Sequence, residues 1–306
     1  MSRTISTAIC GFAFLLTIAA LKPEPVDPLV RVRARTHRFW VEKTFAESEY
    51  DLVVLGDSRV YRGVSPEELE KALPGLKALN FGYSSAGFTE ILLNQGRAKL
   101  SSTADPRIIV LGISPWSLTA KAGENSHLKQ ELSRSFSERL ERVYLSSLRA
   151  SFSSMTPSSL RQNLQARPKP PKVLYHQIHH SNGWVESWKV PPNPREQLTA
   201  YIENFSKNLV SASIVNELVR QTESWIEEGI LVFAFRLPTT SEMVALENKH
   251  SGFDEEQIRT RIEASGAVWI DVAEGDYESY DGSHLDRKSA RRLSQKLGEK
   301  IAEHLK

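Results

Sequence analysis

The feature that most constrains this chain is an apolar run that stops abruptly at a glycine, an acid and a serine: Tyr50-Asp51-Leu52-Val53-Val54-Leu55-Gly56-Asp57-Ser58-Arg59. Residues 52–55 have the length and β-branched content of a strand buried on both faces, the kind found in parallel sheets covered by helices. Gly56 lets the backbone bend where a Cβ would obstruct it. Ser58 then stands at the carboxyl end of a strand, where open α/β sheets place their ligands. A serine so placed is a nucleophile only with a base beside it.

The candidate base lies near the other end of the chain, in Tyr280-Asp281-Gly282-Ser283-His284-Leu285. An acid three residues before a histidine, on a turn loosened by Gly282, can bring two groups into one site. His284 would take the proton from Ser58, and Asp281 would fix the imidazole tautomer and stabilise the imidazolium. Each half alone has a bland reading. Gly-x-Ser after a strand is common, and Asp-x-x-His is often a capped helix start. Together, in this order and with these flanks, they point to one site closed by a folded sheet.

The rest of the pattern supports such a sheet. Further strands are expected over 76–81, 106–113, 230–235 and 267–272, separated by helices over 65–73, 88–100, 202–228, 241–247, 254–264 and 287–305. Five strands alternating with helices predict an α/β fold: a three-layer α/β/α arrangement around a five-stranded parallel sheet, flavodoxin-like in plan. Residues 117–200 break the alternation. They are rich in serine and proline, show helical spacing over 131–149 and no clean strand, and read as a helical or irregular insertion over the site.

Four blocks then resemble the SGNH (GDSL-like) hydrolase superfamily. They are Gly56-Asp57-Ser58, Asn80-Phe81-Gly82, Leu111-Gly112-Ile113-Ser114-Pro115 and Asp281-Gly282-Ser283-His284. The resemblance implies a serine ester hydrolase or O-acyltransferase with Ser58, His284 and Asp281 as its triad, and an oxyanion hole from Ser58, Gly82 and Ser114. The third block departs from the family, because Ser114 stands where an asparagine amide usually donates, and a lost oxyanion donor costs on the order of 100- to 1,000-fold in rate. The Gly-x-Ser-Pro form and the Asp-Gly-Ser-His-Leu ending resemble the membrane-anchored cell-envelope branch, with proteins of D-alanine transfer and alginate O-acetylation. That implies an acylated glycan or small ester as substrate and a membrane acyl-donor protein as a candidate partner. Arg59, Trp116 and Arg236, at or near strand ends, are candidates for substrate contact.

Composition narrows the alternatives. The net charge of +2 over 306 residues gives no case for a nucleic-acid partner. The single cysteine, Cys10, excludes a disulfide framework and a cysteine nucleophile in the rest of the chain. No cofactor is called for, and no metal: His176, His179 and His180 come without an acidic ligand placed to complete a set. Residues 5–21 carry no charge and follow Arg3, so 1–21 reads as an uncleaved membrane anchor or a cleaved signal peptide, followed by a proline-rich stalk and lead-in over 22–49. The anchor reading makes the chain a single-pass cell-membrane protein with residues 50–306 extracytoplasmic. Two functions compete with ester chemistry. One is a non-catalytic assembly or partner-binding protein that keeps the fold. The other is a metal-dependent phosphoester or sulfate-ester hydrolase built on Asp57, which lacks the clustered ligands it needs.

Overall fold

The computed structural model describes residues 5–7, 9–13, 29–146, 173–272 and 277–306. The chain divides into two compact units, one of Met1–Glu42 with Arg134–Pro171, the other of Lys43–Ser133 with Lys172–Lys306. In the first, helix α1 (Leu29–Thr44, its last turn in the second unit) and the short helix Phe136–Leu140 are described. The latter opens on a capping box between Ser135 and Glu138, so the single helix expected over 131–149 is broken at Ser133–Ser135. Among the described residues no helix is long and apolar enough to cross a membrane. Most of the 1–21 segment lies outside them.

The second unit is the expected α/β domain. Strands β1 (Leu52–Gly56), β2 (Ala78–Asn80), β3 (Ile108–Ile113), β6 (Leu231–Arg236) and β7 (Val268–Trp269) form one parallel sheet in the order β2-β1-β3-β6-β7. The order reverses between β1 and β3, which makes their carboxyl ends the switch point of a doubly wound sheet. Every residue of β1 and β3 is buried, as strands covered on both faces must be. On one face Leu52, Val54, Val110 and Phe233 pack with Leu293, Leu297 and Ile301 of the C-terminal helix, completing a three-layer arrangement.

Helices α2 (Ser58–Gly63) and α3 (Pro66–Ala72) follow β1, and α4 (Glu90–Arg97) follows β2. Gly96 of α4 sits against Leu55, where an added Cβ would come within 2.2 Å of the leucine. The helix expected over 202–228 is two, α5 (Leu198–Phe205) and α6 (Ala212–Glu227). Residues 206–211 leave the helix because Asn208 turns its side chain to the Lys121 amide and Val210 bonds with Ser251. Helices α7 (Ser241–His250), α8 (Glu255–Ala264) and α9 (Arg287–His304) complete the domain.

The insertion differs from expectation in one respect. It contains an antiparallel hairpin, β4 (Leu174–His179) and β5 (Val185–Val190). The turn between them ends in Asn182-Gly183, with Gly183 at φ 85°. A side chain there would meet the Asn80 carbonyl at 2.1 Å, so only glycine allows the hairpin to seat against the end of β2.

Candidate active site

Three glycines at adjacent strand ends make the site. Gly56 and Gly112 pair in register across β1 and β3. A Cβ on either would strike the Val60 side chain, at 2.3 and 2.4 Å, and Gly56 takes φ 155°. Gly82, after β2, approaches the same helix, where a Cβ would come within 2.7 Å of the Tyr61 amide. The absence of these side chains lets α2 sit directly on the sheet end. Asp57 caps that helix by accepting from the Arg59 amide at 2.8 Å. Ser58 is therefore its first residue, with an amide that has no partner within the helix.

The histidine arrives on the turn before α9. His284 Nε2 lies 2.9 Å from Ser58 Oγ, and His284 Nδ1 lies 2.8 Å from Asp281 Oδ2. Asp281 Oδ1 accepts the amides of Ser283 at 3.0 Å and His284 at 2.8 Å, which locks the carboxylate in place. Burial raises the Asp281 carboxyl, but the hydrogen bonds and charge of His284 outweigh it and hold the group at about 2. For His284, burial and then the positive charge of Arg62 push the imidazole down to about 4, against the opposing pull of Asp281. The pair is thus a carboxylate and a neutral imidazole at neutral pH. With Asp281 accepting from Nδ1–H, Nε2 is left as the acceptor facing the serine hydroxyl.

Several expected site residues have other occupations. Ser114 is fully buried and donates its hydroxyl to Asp57 Oδ2 at 2.5 Å while accepting from the Ser117 amide. It has no hydrogen left for an oxyanion. The Gly82 amide donates to Asn80 Oδ1 at 3.0 Å, and the Asn80 amide group in turn donates to the Val60 carbonyl of α2 and the Val64 carbonyl just after it. Gly82 therefore serves close packing, and Asn80 ties the strand end to the helix that Ser58 opens. Asp57, the carboxylate a metal-dependent reading needs, is 1% exposed and committed to this cap.

Arg59 and Arg236 do not line the cavity at Ser58, and both are held by carboxylates. Glu247, fully buried, bonds Arg59 Nη2 at 2.5 Å and Arg236 Nη2 at 3.2 Å, and Arg236 also pairs with Glu255 at 2.6 Å. Arg59 stacks on Tyr201 and bonds Ser283. The result is a buried charge network behind the triad, joining α2, α7, α8 and the histidine turn.

Ser58, His284 and Asp281 open into a cavity of about 560 Å³. Trp116 does line it, beside Ser58, His284 and Asp281, with its indole bonded to the Ser85 carbonyl. The remaining wall includes Arg62, Ser84, Ser85, Tyr175, Tyr201 and Tyr280, to which the sequence assigned no role, together with Lys189, Gln197 and Asn204. Tyr280 stacks on the His284 ring at 5.8 Å and receives a hydrogen bond from Arg62 Nη1 at 3.0 Å. Among the described residues, the amides of Ser58, Ser84 and Ser85 donate to no protein acceptor. Arg62 was findable in principle, since a helix starting at Ser58 puts position 62 on the serine's face.

No protein-family model matches the chain, and no curated protein matches it in sequence. Among solved structures it is similar to one described as a provisionally assigned platelet activating factor from Streptococcus pneumonia, across 98% of this chain and 100% of that one, at 12% identity and a TM-score of 0.37. A likeness that faint carries no weight, so the reading of the site rests on the α/β fold and on the geometry of Ser58, His284 and Asp281.

Proposed function

We propose that this chain is a serine esterase or O-acyltransferase of the SGNH type. The observation that carries the reading is the hydrogen-bonded series Ser58–His284–Asp281 at the floor of an open cavity. Ser58 Oγ attacks an ester carbonyl as its proton passes to His284 Nε2. The leaving alkoxide takes that proton, and the acyl group stays on Ser58. His284 then deprotonates water or a second hydroxyl, which takes the acyl group and frees the serine. The Ser58 amide, with those of Ser84 and Ser85, is the candidate set of oxyanion donors in place of Gly82 and Ser114.

An acylated cell-envelope glycan as substrate, an N-terminal membrane anchor and a membrane acyl-donor partner complete the reading, on the sequence resemblance alone. A second reading, a partner-binding protein without turnover, is favoured by the commitment of Ser114 and Gly82 to other bonds. Turnover of p-nitrophenyl acetate decides between them. The ester reading predicts hydrolysis that is lost in Ser58→Ala and His284→Ala at unchanged folding. A folded wild type with no turnover supports the second, and activity that survives Ser58→Ala refutes Ser58 as the nucleophile.

A further inference from the structure

Among the described residues, the arginines on and behind the cavity differ in how their charge is balanced. Arg59 and Arg236 are neutralised by Glu247 and Glu255. Lys189, on the cavity wall, is paired with Glu196 at 2.6 Å. Arg62 has no carboxylate within ion-pair distance among the described residues. Three phenols surround it instead. Tyr280 takes one hydrogen bond, and the guanidinium lies 5.1 Å from the Tyr61 ring centre and 5.9 Å from that of Tyr175. Its Nε is buried and donates to nothing. A neutral aromatic surround holds a guanidinium in place without an ion pair, and the carboxylate that acts on it, Asp281, is engaged with His284 and reaches it only through space.

Position matters as much as charge. Arg62 is four residues after Ser58 on α2, on the same face and about 6 Å further along the helix axis. Both side chains line the one cavity. A group held by Arg62 is thus about one helical turn from the carbonyl that Ser58 attacks. The partners that satisfy a guanidinium best are planar or tetrahedral oxyanions, which accept two parallel hydrogen bonds. Tyr175 offers a flat face beside it, and Trp116 lines the same cavity.

We infer that Arg62 is the specificity residue of this site, binding an oxyanion on the substrate or acceptor about one helical turn from the reacting ester, so that the preferred substrate is an acidic rather than a neutral saccharide ester. This rests on the acyl-transfer reading above. A second consequence concerns the base. Arg62 is, after burial, the largest influence holding the His284 imidazole down. A bound anion offsets that charge, so seating the correct substrate strengthens the base next to the serine.

The test separates recognition from turnover. Full-length protein carrying Ser58→Ala is titrated calorimetrically with methyl glucuronide, methyl glucoside and methyl glucoside 6-phosphate, three sugars that differ only at C6. The expected result is binding of at least one acidic sugar about ten- to hundred-fold tighter than the neutral one, the range of a charge-assisted hydrogen bond. The carboxylate and phosphate arms identify which oxyanion the site takes. Adding Arg62→Gln should reduce the preference to about two-fold or less, while Arg62→Lys keeps part of it. Equal affinity for acidic and neutral sugars, no measurable binding of any of them, or a preference that survives Arg62→Gln overturns the inference. Because the preference is a ratio within one protein, a general loss of stability in the variant does not imitate it. None of these outcomes depends on ester turnover, which is tested separately with Ser58→Ala.

Discussion

Replacing Glu247 by glutamine should destabilise the domain more than any single change at the cavity wall. The carboxylate is fully buried and bridges two guanidinium groups, Arg59 at 2.5 Å and Arg236 at 3.2 Å. Glutamine preserves the shape and one acceptor but removes the charge. Arg236 keeps Glu255, whereas Arg59 is left in a buried site with only the capping carboxylate of Asp57 nearby. Removing one partner of a buried pair costs about 3–5 kcal/mol, most of it the penalty of the stranded charge. At about 2–4 °C per kcal/mol for a domain of this size, Tm falls by about 6–20 °C. Thermal and urea melts followed by circular dichroism measure this. The Arg59→Met/Glu247→Met double variant removes both charges and should lose less than the sum of the two single variants, by at least about 2 kcal/mol. A Glu247→Gln protein within about 1 kcal/mol of wild type, or single losses that simply add, refutes the claim that this network holds α2 to α7.

Other expectations follow from the same geometry. Asp281→Asn removes the acceptor that fixes the imidazole tautomer and should lower kcat on the order of 10³- to 10⁴-fold with little change in KM, measured on p-nitrophenyl acetate. Acid should act on both stability and rate. A histidine in the unfolded chain takes up its proton near pH 6.5, while folded His284 refuses one until about pH 4. The unfolded state therefore binds more protons in that window, and stability falls by about 3 kcal/mol as pH drops from 6.5 to 4. Asp281, depressed in the folded state to about 2, adds a further loss between pH 3.8 and 2. Urea melts at stepped pH check the first effect. The acid limb of kcat/KM should fall near pH 4, and a limb near 6.5 would show that His284 is not held down as its surroundings require.

The sheet and the meeting of Ser58, His284 and Asp281 were legible because both are written in short, local patterns. A β-branched run ending in Gly56 can hardly be anything but a buried strand with a sharp exit. Asp281 and His284 need only two residues between acid and base for one carboxylate oxygen to take Nδ1–H while the other takes the two amides. The hidden part depends on what lies across the sheet. Nothing near Ser114 in sequence reveals that Asp57 will meet it, since their approach follows from the pairing of Gly56 with Gly112. For the same reason a Gly82 amide near the site does not disclose that Asn80 will claim it. Among the arginines, Arg59 follows the serine and Arg62 lies one turn on, and helical rotation sends the first inward to Glu247 and the second into the cavity. The hairpin carried a signal in Asn182-Gly183 that the surrounding prolines and histidines obscured.

The central claim is that Ser58 is a nucleophile activated by His284. Its most direct measurement is intact-protein and peptide mass spectrometry after exposure of the full chain to a fluorophosphonate. The account predicts one adduct per chain, on the peptide holding Gly56-Asp57-Ser58, absent in Ser58→Ala and strongly slowed in His284→Ala. A folded wild type that takes no adduct, or takes it on another residue, contradicts it.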